Sequence, residues 1–262
     1  MRTSFLNFPV DLLDLEETAG RAVRAMRDRR ACYHVALNVA KLVNARADAT
    51  LADDIREADI IGIDGAGIVL GLRATGRGNC EKVSGIDLFE RLMGECAKGG
   101  FRPFLLGATQ EVLDAATARL AARHPGLELA GTQHGYFTAA EERDVVARIA
   151  RSGADCLFVA MPTPRKERFM AAHRQAAKVP FVMGIGGSLD VVAGHTRRAP
   201  VLVRRLGMEW FFRMIQEPRR LAGRYLRTNA IYALLLAGEI VRTHLPGGGG
   251  RQVSHPGPER RG

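Results

Sequence analysis

An α/β fold with a Rossmann-like, mainly parallel sheet, helices on both faces and a C-terminal helical, arginine-rich appendage is the architecture this sequence predicts. Three observations predict it. Six short apolar runs recur along the chain, segments with helical spacing separate them, and after Pro200 the alternation ends and arginine becomes the dominant charge. Alternating strand and helix signals favour a parallel sheet covered on both sides.

The apolar runs fall at Tyr33 to Leu37, Asp59 to Ile63, Pro103 to Leu106, Leu127 to Ala130, Cys156 to Ala160 and Phe181 to Ile185. They are rich in Val, Ile, Leu and Phe, as strands buried on both faces are. Helical spacing covers Lys41 to Arg56, Ile86 to Lys98, Gln110 to Arg123, Ala139 to Arg151 and Arg165 to Ala176, several opened by Thr, Asp or Pro and closed by Gly. In such a sheet, ligands bind beyond the carboxyl ends of the strands. The residues there are polar and glycine-rich: Asn38, then Asp64-Gly65-Ala66-Gly67, Gly107 to Gln110, Gly131 to Gly135, Met161 to Pro164 and Gly184 to Asp190. One glycine turn is weak evidence, but six on one edge form a cleft whose backbone N–H groups face an anion. Gly65, Gly67, Gly107, Gly186, Gly187 and Asp190 are therefore candidate binding positions, with Asn38.

Beyond Pro200, Leu206 to Ile215 and Glu217 to His244 read as helices parted at Pro218, and the glycine-rich stretch from Pro246 is too polar to fold. The expected organisation is a catalytic core over 1–200, a helical appendage over 201–245 that closes the site and meets a membrane, and a disordered tail over 246–262. From His195 onward there are thirteen arginines, four glutamates and no lysine, so most of the formal +10 charge lies in the last quarter. Arginine's planar fork grips phosphate oxygens in pairs, so this bias points to a phosphate-bearing ligand.

Cys32, Cys80, Cys96 and Cys156 are scattered without ligand spacing, which argues against a zinc site or a disulfide framework and fits a reducing cytosol. No metal and no cofactor are expected. Acidic residues Asp11, Asp14, Glu16 and Glu17 interrupt the N-terminal apolar stretches, unlike a signal peptide, and no apolar run approaches the length of a membrane span.

Asp64 is the acid favoured for chemistry, since it follows a buried strand and adjoins glycines that admit a substrate. Spacing alone leaves an ordinary Asp-Gly turn equally open. The ordered motifs A-D-I-I-G-I-D-G-A-G-I-V (58–69), V-S-G-I-D-L (83–88), F-L-L-G (104–107), G-Y-F (135–137), G-I-G-G-S-L-D-V-V-A-G (184–194), R-A-P (198–200), G-M-E-W-F-F-R (207–213) and E-P-R-R-L-A-G-R-Y (217–225) resemble the WecG/TagA/CpsF glycosyltransferases. The resemblance implies an inverting, UDP-sugar-dependent enzyme of cell-surface polysaccharide synthesis. Its acceptor would be an undecaprenyl-diphosphate-linked saccharide at the inner face of the cytoplasmic membrane. By the same resemblance Asp64 is the general base, Lys82 stands where a basic residue meets the diphosphate, and Arg213, Arg220 and Arg224 close over the nucleotide.

Two departures mark the binding edge. Ala36 stands where many relatives have Thr, and Lys166 replaces a Gln, turning an amide into a cation. An acidic donor sugar and a neutral hexose are both compatible with that change.

Leu226, Ala230, Ala233, Leu234, Ala237 and Val241 share one face of the last helix, which suits either an anionic bilayer or packing on the core or a second subunit. A homo-oligomer is compatible with the sequence, as the appendage could complete its own site or a neighbour's. His34, His134 and His195 read as structural, and Trp210 as core or a uracil stack. Two rivals remain. A dinucleotide-dependent oxidoreductase lacks G-x-G-x-x-G after the first strand, and a basic nucleic-acid-binding protein lacks aromatics among its charges, so no nucleic-acid partner is expected.

Overall fold

The computed structural model describes residues 1–244; the expected tail over 246–262 lies outside the described residues, as does the Arg220 side chain. A two-stranded antiparallel hairpin, β1 (Arg2–Phe5) and β2 (Phe8–Asp11), opens the chain and leads into helix α1 (Leu15–Arg27). Strand β3 (Cys32–Leu37) is followed by α2 (Val39–Ala47) and α3 (Ala49–Arg56), then β4 (Ile60–Ile63), α4 (Ala66–Ala74) and α5 (Gly85–Gly99). Next come β5 (Pro103–Gly107), α6 (Gln110–Arg123), β6 (Gly131–Gln133), α7 (Glu142–Arg151), β7 (Cys156–Ala160), α8 (Arg165–His173), β8 (Phe181–Gly184) and α9 (Ser188–Val192). Three helices, α10 (Val201–Arg205), α11 (Glu209–Gln216) and α12 (Pro218–His244), complete the described residues.

All six strands from β3 to β8 run parallel in the order β4-β3-β8-β7-β5-β6. Alternate side chains along each strand point to opposite faces, and two cores result. One joins the hairpin, α2, α3, α4, α7 and α8 to Tyr33, Val35 and Leu37; the other joins α1, α5, α6 and α9 to Phe158, Phe181 and Met183. The expected α/β class and the six-strand parallel sheet are both present.

Several elements depart from the sequence reading. The hairpin is held by Phe5 and Phe8 in the core and by Asp11, whose carboxylate accepts the Ile61 N–H at 2.8 Å and pairs with Arg2 at 2.7 Å. Periodicity hid it because each strand has four residues and one contains Pro9. Asp14 and Glu17 form the capping box that starts α1, a signal the acidic N-terminus carried in plain view. The helix expected from Lys41 to Arg56 breaks at Asp48, whose side chain caps α3 by accepting the Leu51 N–H at 3.0 Å. The fourth sheet strand is Gly131–Gln133 instead of Leu127 to Ala130, because pairing of Leu105 with Thr132 decides where this edge strand lies. Helix α4 was hidden by its two glycines, and both make close contacts. A Cβ on Gly67 would lie 2.6 Å from the Val39 side chain, and one on Gly71 2.5 Å from the Phe5 ring.

Candidate active site

The site forms where β3 and β4 end side by side. Leu37 pairs with Ile63, and the Asp64 N–H extends that pairing by donating to the Leu37 carbonyl at 2.9 Å. Asp64 is half-buried. Gly65 follows with φ 101°, a conformation an L-residue resists, so the chain can leave the strand sharply and begin α4. Asn38 caps α2: its side-chain oxygen accepts the Lys41 N–H at 2.9 Å, and its side chain favours the charged form of the Asp64 carboxylate.

Burial raises the Asp64 pKa above the ordinary carboxylate value, and Glu209 adds to the rise; Lys41, Asn38 and Lys82 oppose it. The net effect is a carboxylate whose affinity for a proton is increased, while cations on two sides still favour its charged form.

Lys82 reaches the site from the segment before α5. The Val83 N–H donates to the Ile63 carbonyl at 2.8 Å, which places Lys82 beside the residue preceding Asp64. Its ammonium donates to Glu209 at 2.7 Å and to the Arg204 carbonyl at 2.9 Å. The cation expected to meet a diphosphate therefore already has an anionic partner. Glu209 escaped the sequence reading, although it lies inside the quoted G-M-E-W-F-F-R motif, because an acid among arginines reads as a local salt bridge.

The appendage closes on this corner. Gly207 packs on Ala66 at the start of α4, Arg198 pairs with Asp87, and the Arg197 N–H donates to Gln216 at 3.2 Å. Arg213 lies over the β8–α9 turn, where a Cβ on Gly187 would come within 3.1 Å of its guanidinium and 3.6 Å of Asp190. Gly187 thus lets an arginine approach the backbone, whereas Gly186, at φ 51°, has nothing within 4 Å of where a Cβ would stand. Arg224 stacks over Tyr225, whose ring also meets Trp210 at 5.8 Å. Trp210 is exposed rather than part of the core.

Beneath Asp64 lies a buried group of charges. Lys41 donates to the Ala36 carbonyl at 2.5 Å and pairs with Glu167 at 3.0 Å; Lys166 pairs with Glu167 at 2.7 Å and donates to Thr163 at 2.6 Å. Lys166 is thus locked in place, with its pKa lowered to about 8 by burial and by Lys41. Lys41 and Glu167 carried no signal in the sequence, since the chain alone does not show that α2 and α8 face each other.

Gly107 lies farther along the same edge of the sheet. It ends β5, four strands from β4, or about 19 Å at ordinary strand spacing. A Cβ there would meet the Ala160 backbone at 2.5 Å, so its glycine identity is explained by packing. Gly67 offers its carbonyl to the Tyr232 hydroxyl at 2.7 Å, tying α12 to α4. His34 is fully enclosed, with neither ring nitrogen hydrogen-bonded among the described residues, and burial lowers its pKa to about 4. His34 is accordingly a neutral core residue.

On α12, Leu221, Thr228, Tyr232 and Glu239 face the protein, whereas Leu226, Ala230, Ala233, Leu234, Ala237 and Val241 are exposed. Packing of that face on this chain's own core is thereby excluded. Among the described residues no helix is long and apolar enough to cross a membrane. A family model described as glycosyl transferase WecG/TagA/CpsF matches residues 3–245, nearly the whole chain.

Proposed function

The chain belongs to the WecG/TagA/CpsF family of glycosyltransferases, which act in cell-surface polysaccharide synthesis with a sugar donor and a lipid-linked acceptor, and on that premise we propose that it is an inverting enzyme using a UDP-sugar, with Asp64 as general base. The observation that carries this reading is a half-buried carboxylate at the carboxyl end of β4 with a raised proton affinity, whose charged form is favoured by Lys41, Asn38 and Lys82. A base whose pKa moves toward the working pH accepts a proton more effectively.

In the proposed reaction an acceptor hydroxyl attacks the anomeric carbon on the face opposite UDP. The new C–O bond forms as the bond to the diphosphate breaks, the hydroxyl proton passes to Asp64, and UDP departs with the electron pair. Arg213 and Lys82 stabilise the growing charge on the diphosphate, a task that fixed cations can perform without a metal. For Lys82 to do so, the diphosphate takes the place of the Glu209 carboxylate. Arg224 lies on the same appendage, with Arg220 in the same helix. Asn38, Gly65, Gly186, Gly187 and Asp190 shape the surrounding cleft. Lys166 lies too deep and too well paired to read as a free contact for an acidic sugar, so its effect on donor choice is indirect.

Association with anionic lipid at the inner face of the membrane is supported by the exposed apolar face of α12 and by exposed Val201, Leu202, Leu206 and Ile215 among arginines. Each basic residue near such a surface contributes about 1 kcal/mol. The dinucleotide-dependent alternative loses ground because β3 is followed by Asn38-Val39 and its turn carries no glycine fingerprint.

The test is transfer of radiolabelled sugar from UDP-glucose, UDP-glucuronic acid, UDP-N-acetylglucosamine and UDP-N-acetylmannosamine to a membrane lipid extract, with wild type and Asp64→Asn in parallel. Product from wild type alone supports the enzyme class, the donor and the base together. Equal product from both removes Asp64 from the chemistry.

A further inference from the structure

The buried charges beneath the site do not balance unless Asp64 is counted with them. Glu167 is completely buried, and its Oε1 meets three groups: Lys41 at 3.0 Å, Lys166 at 2.7 Å and Thr163 at 3.2 Å. Its other oxygen is buried without a hydrogen-bond partner among the described residues. Lys41 and Lys166 are themselves almost fully buried. Two ammonium groups against one carboxylate leave one uncompensated positive charge in the interior, a costly arrangement.

Asp64 is the nearby anion that compensates it. The β3–α2 turn links them: Asn38 takes the Lys41 N–H on its oxygen, and the Lys41 ammonium folds back to the Ala36 carbonyl, one residue before the Leu37 carbonyl that receives the Asp64 N–H. We infer that the buried Lys41–Glu167–Lys166 cluster is the fixed counter-charge of Asp64, with Lys41 its principal positioning residue, and that it holds the carboxylate ionised and ready to take a proton. This deepens the reading of Asp64 as base and rests on it only for the catalytic consequence.

The groups that act on Asp64 are Lys41 and Asn38 from the β3–α2 turn, Lys82 from the segment before α5, Glu209 from α11 and Lys166 from α8. Of the opposing influences, Lys41 is the largest. Lys82 is neutralised by its own partner Glu209, so the charge left over for Asp64 comes from below. When Asp64 accepts the acceptor proton the cluster becomes net positive, which favours rapid return of that proton to water after transfer.

The experiment is a pH titration of the Asp64 carboxyl by carbon NMR in full-length protein labelled with 13C-aspartate, the resonance being assigned by its absence in Asp64→Asn. Lys41→Met is expected to raise the Asp64 midpoint by about one unit or more, the usual size for loss of a close opposite charge. Lys41→Arg, which restores the charge, is expected to stay within about half that shift. An unchanged midpoint in folded Lys41→Met overturns the inference. Should Lys41→Met fail to fold, Lys166→Gln is titrated instead; a smaller rise supports the cluster and no rise overturns it. The titration needs no turnover. If the midpoint moves while the acid limb of the kcat/KM profile stays put, the counter-charge stands and Asp64 as base fails.

Discussion

On the sheet side of the cleft, Lys41, Lys166 and Glu167 are enclosed and each is bonded to its neighbours. Across the same cleft, Arg205, Arg219, Arg224 and Arg227 of the appendage are exposed. The difference teaches what each set of charges is for. Enclosed charges gain from low dielectric and cannot move, so they set the protonation state of a fixed neighbour. Exposed arginines are screened and contribute little to stability, which leaves them available to a phosphate or a lipid headgroup.

The largest effect is expected on the sheet side, where Asp64→Asn lowers kcat about 10²–10⁴-fold, the usual worth of a general base, with thermal unfolding by circular dichroism little changed. A loss below tenfold would move the chemistry to another group. Glu167→Ala comes next. It strands two buried ammonium groups and is expected to cost about 3–5 kcal/mol in urea unfolding, against less than about 0.5 kcal/mol for Arg219→Ala. Equal costs for the two would erase the contrast between the sides.

The pH dependence of stability sharpens it further. His34 is held to about 4 against an ordinary 6.5, so between those values the unfolded chain binds a proton that the folded chain refuses, and stability falls as pH drops from 6.5 to 4. That shift corresponds to about 3 kcal/mol, and His34→Leu is expected to flatten this window in urea titrations. Glu167, held to about 2 by Lys41 and Lys166, contributes stability above pH 4.5 that is lost as pH falls toward 2. Lys166 works in the same sense at higher pH: with its pKa at about 8 against 10.5, stability rises as pH climbs through that interval.

Smaller effects belong to the appendage. Glu209→Gln frees Lys82 from its partner and is expected to tighten UDP binding by roughly three- to fivefold in calorimetry, the size of a partly exposed ion pair; weaker binding would make Glu209 a support of Lys82 instead of its competitor. Leu234→Ser is expected to reduce co-sedimentation with anionic vesicles several-fold, since it removes one exposed apolar side chain, while leaving the melting temperature unchanged.

Much of this molecule is legible in its chain order. Buried strands announce themselves as runs of Val, Ile, Leu and Phe because both faces of the sheet are covered, and Asp64, Asn38 and Gly187 stand out because a polar residue or a glycine directly after such a run marks the turn at the strand end. The hairpin was hidden by its shortness and Pro9, and the lock on Lys82 by the 127 positions separating it from Glu209. Gly107 shows the converse, a turn glycine whose reason is packing.

By itself the sequence determined the alternation of elements, the parallel sheet, the family and the acid at the end of β4, because periodicity and local motifs depend on neighbours along the chain. Only the tertiary structure decided that Lys41, Glu167 and Lys166 gather under Asp64, that Glu209 reaches Lys82, and that the apolar face of α12 points outward. Those are contacts between distant segments, and burial and charge balance across them exist only once the strands have taken their places.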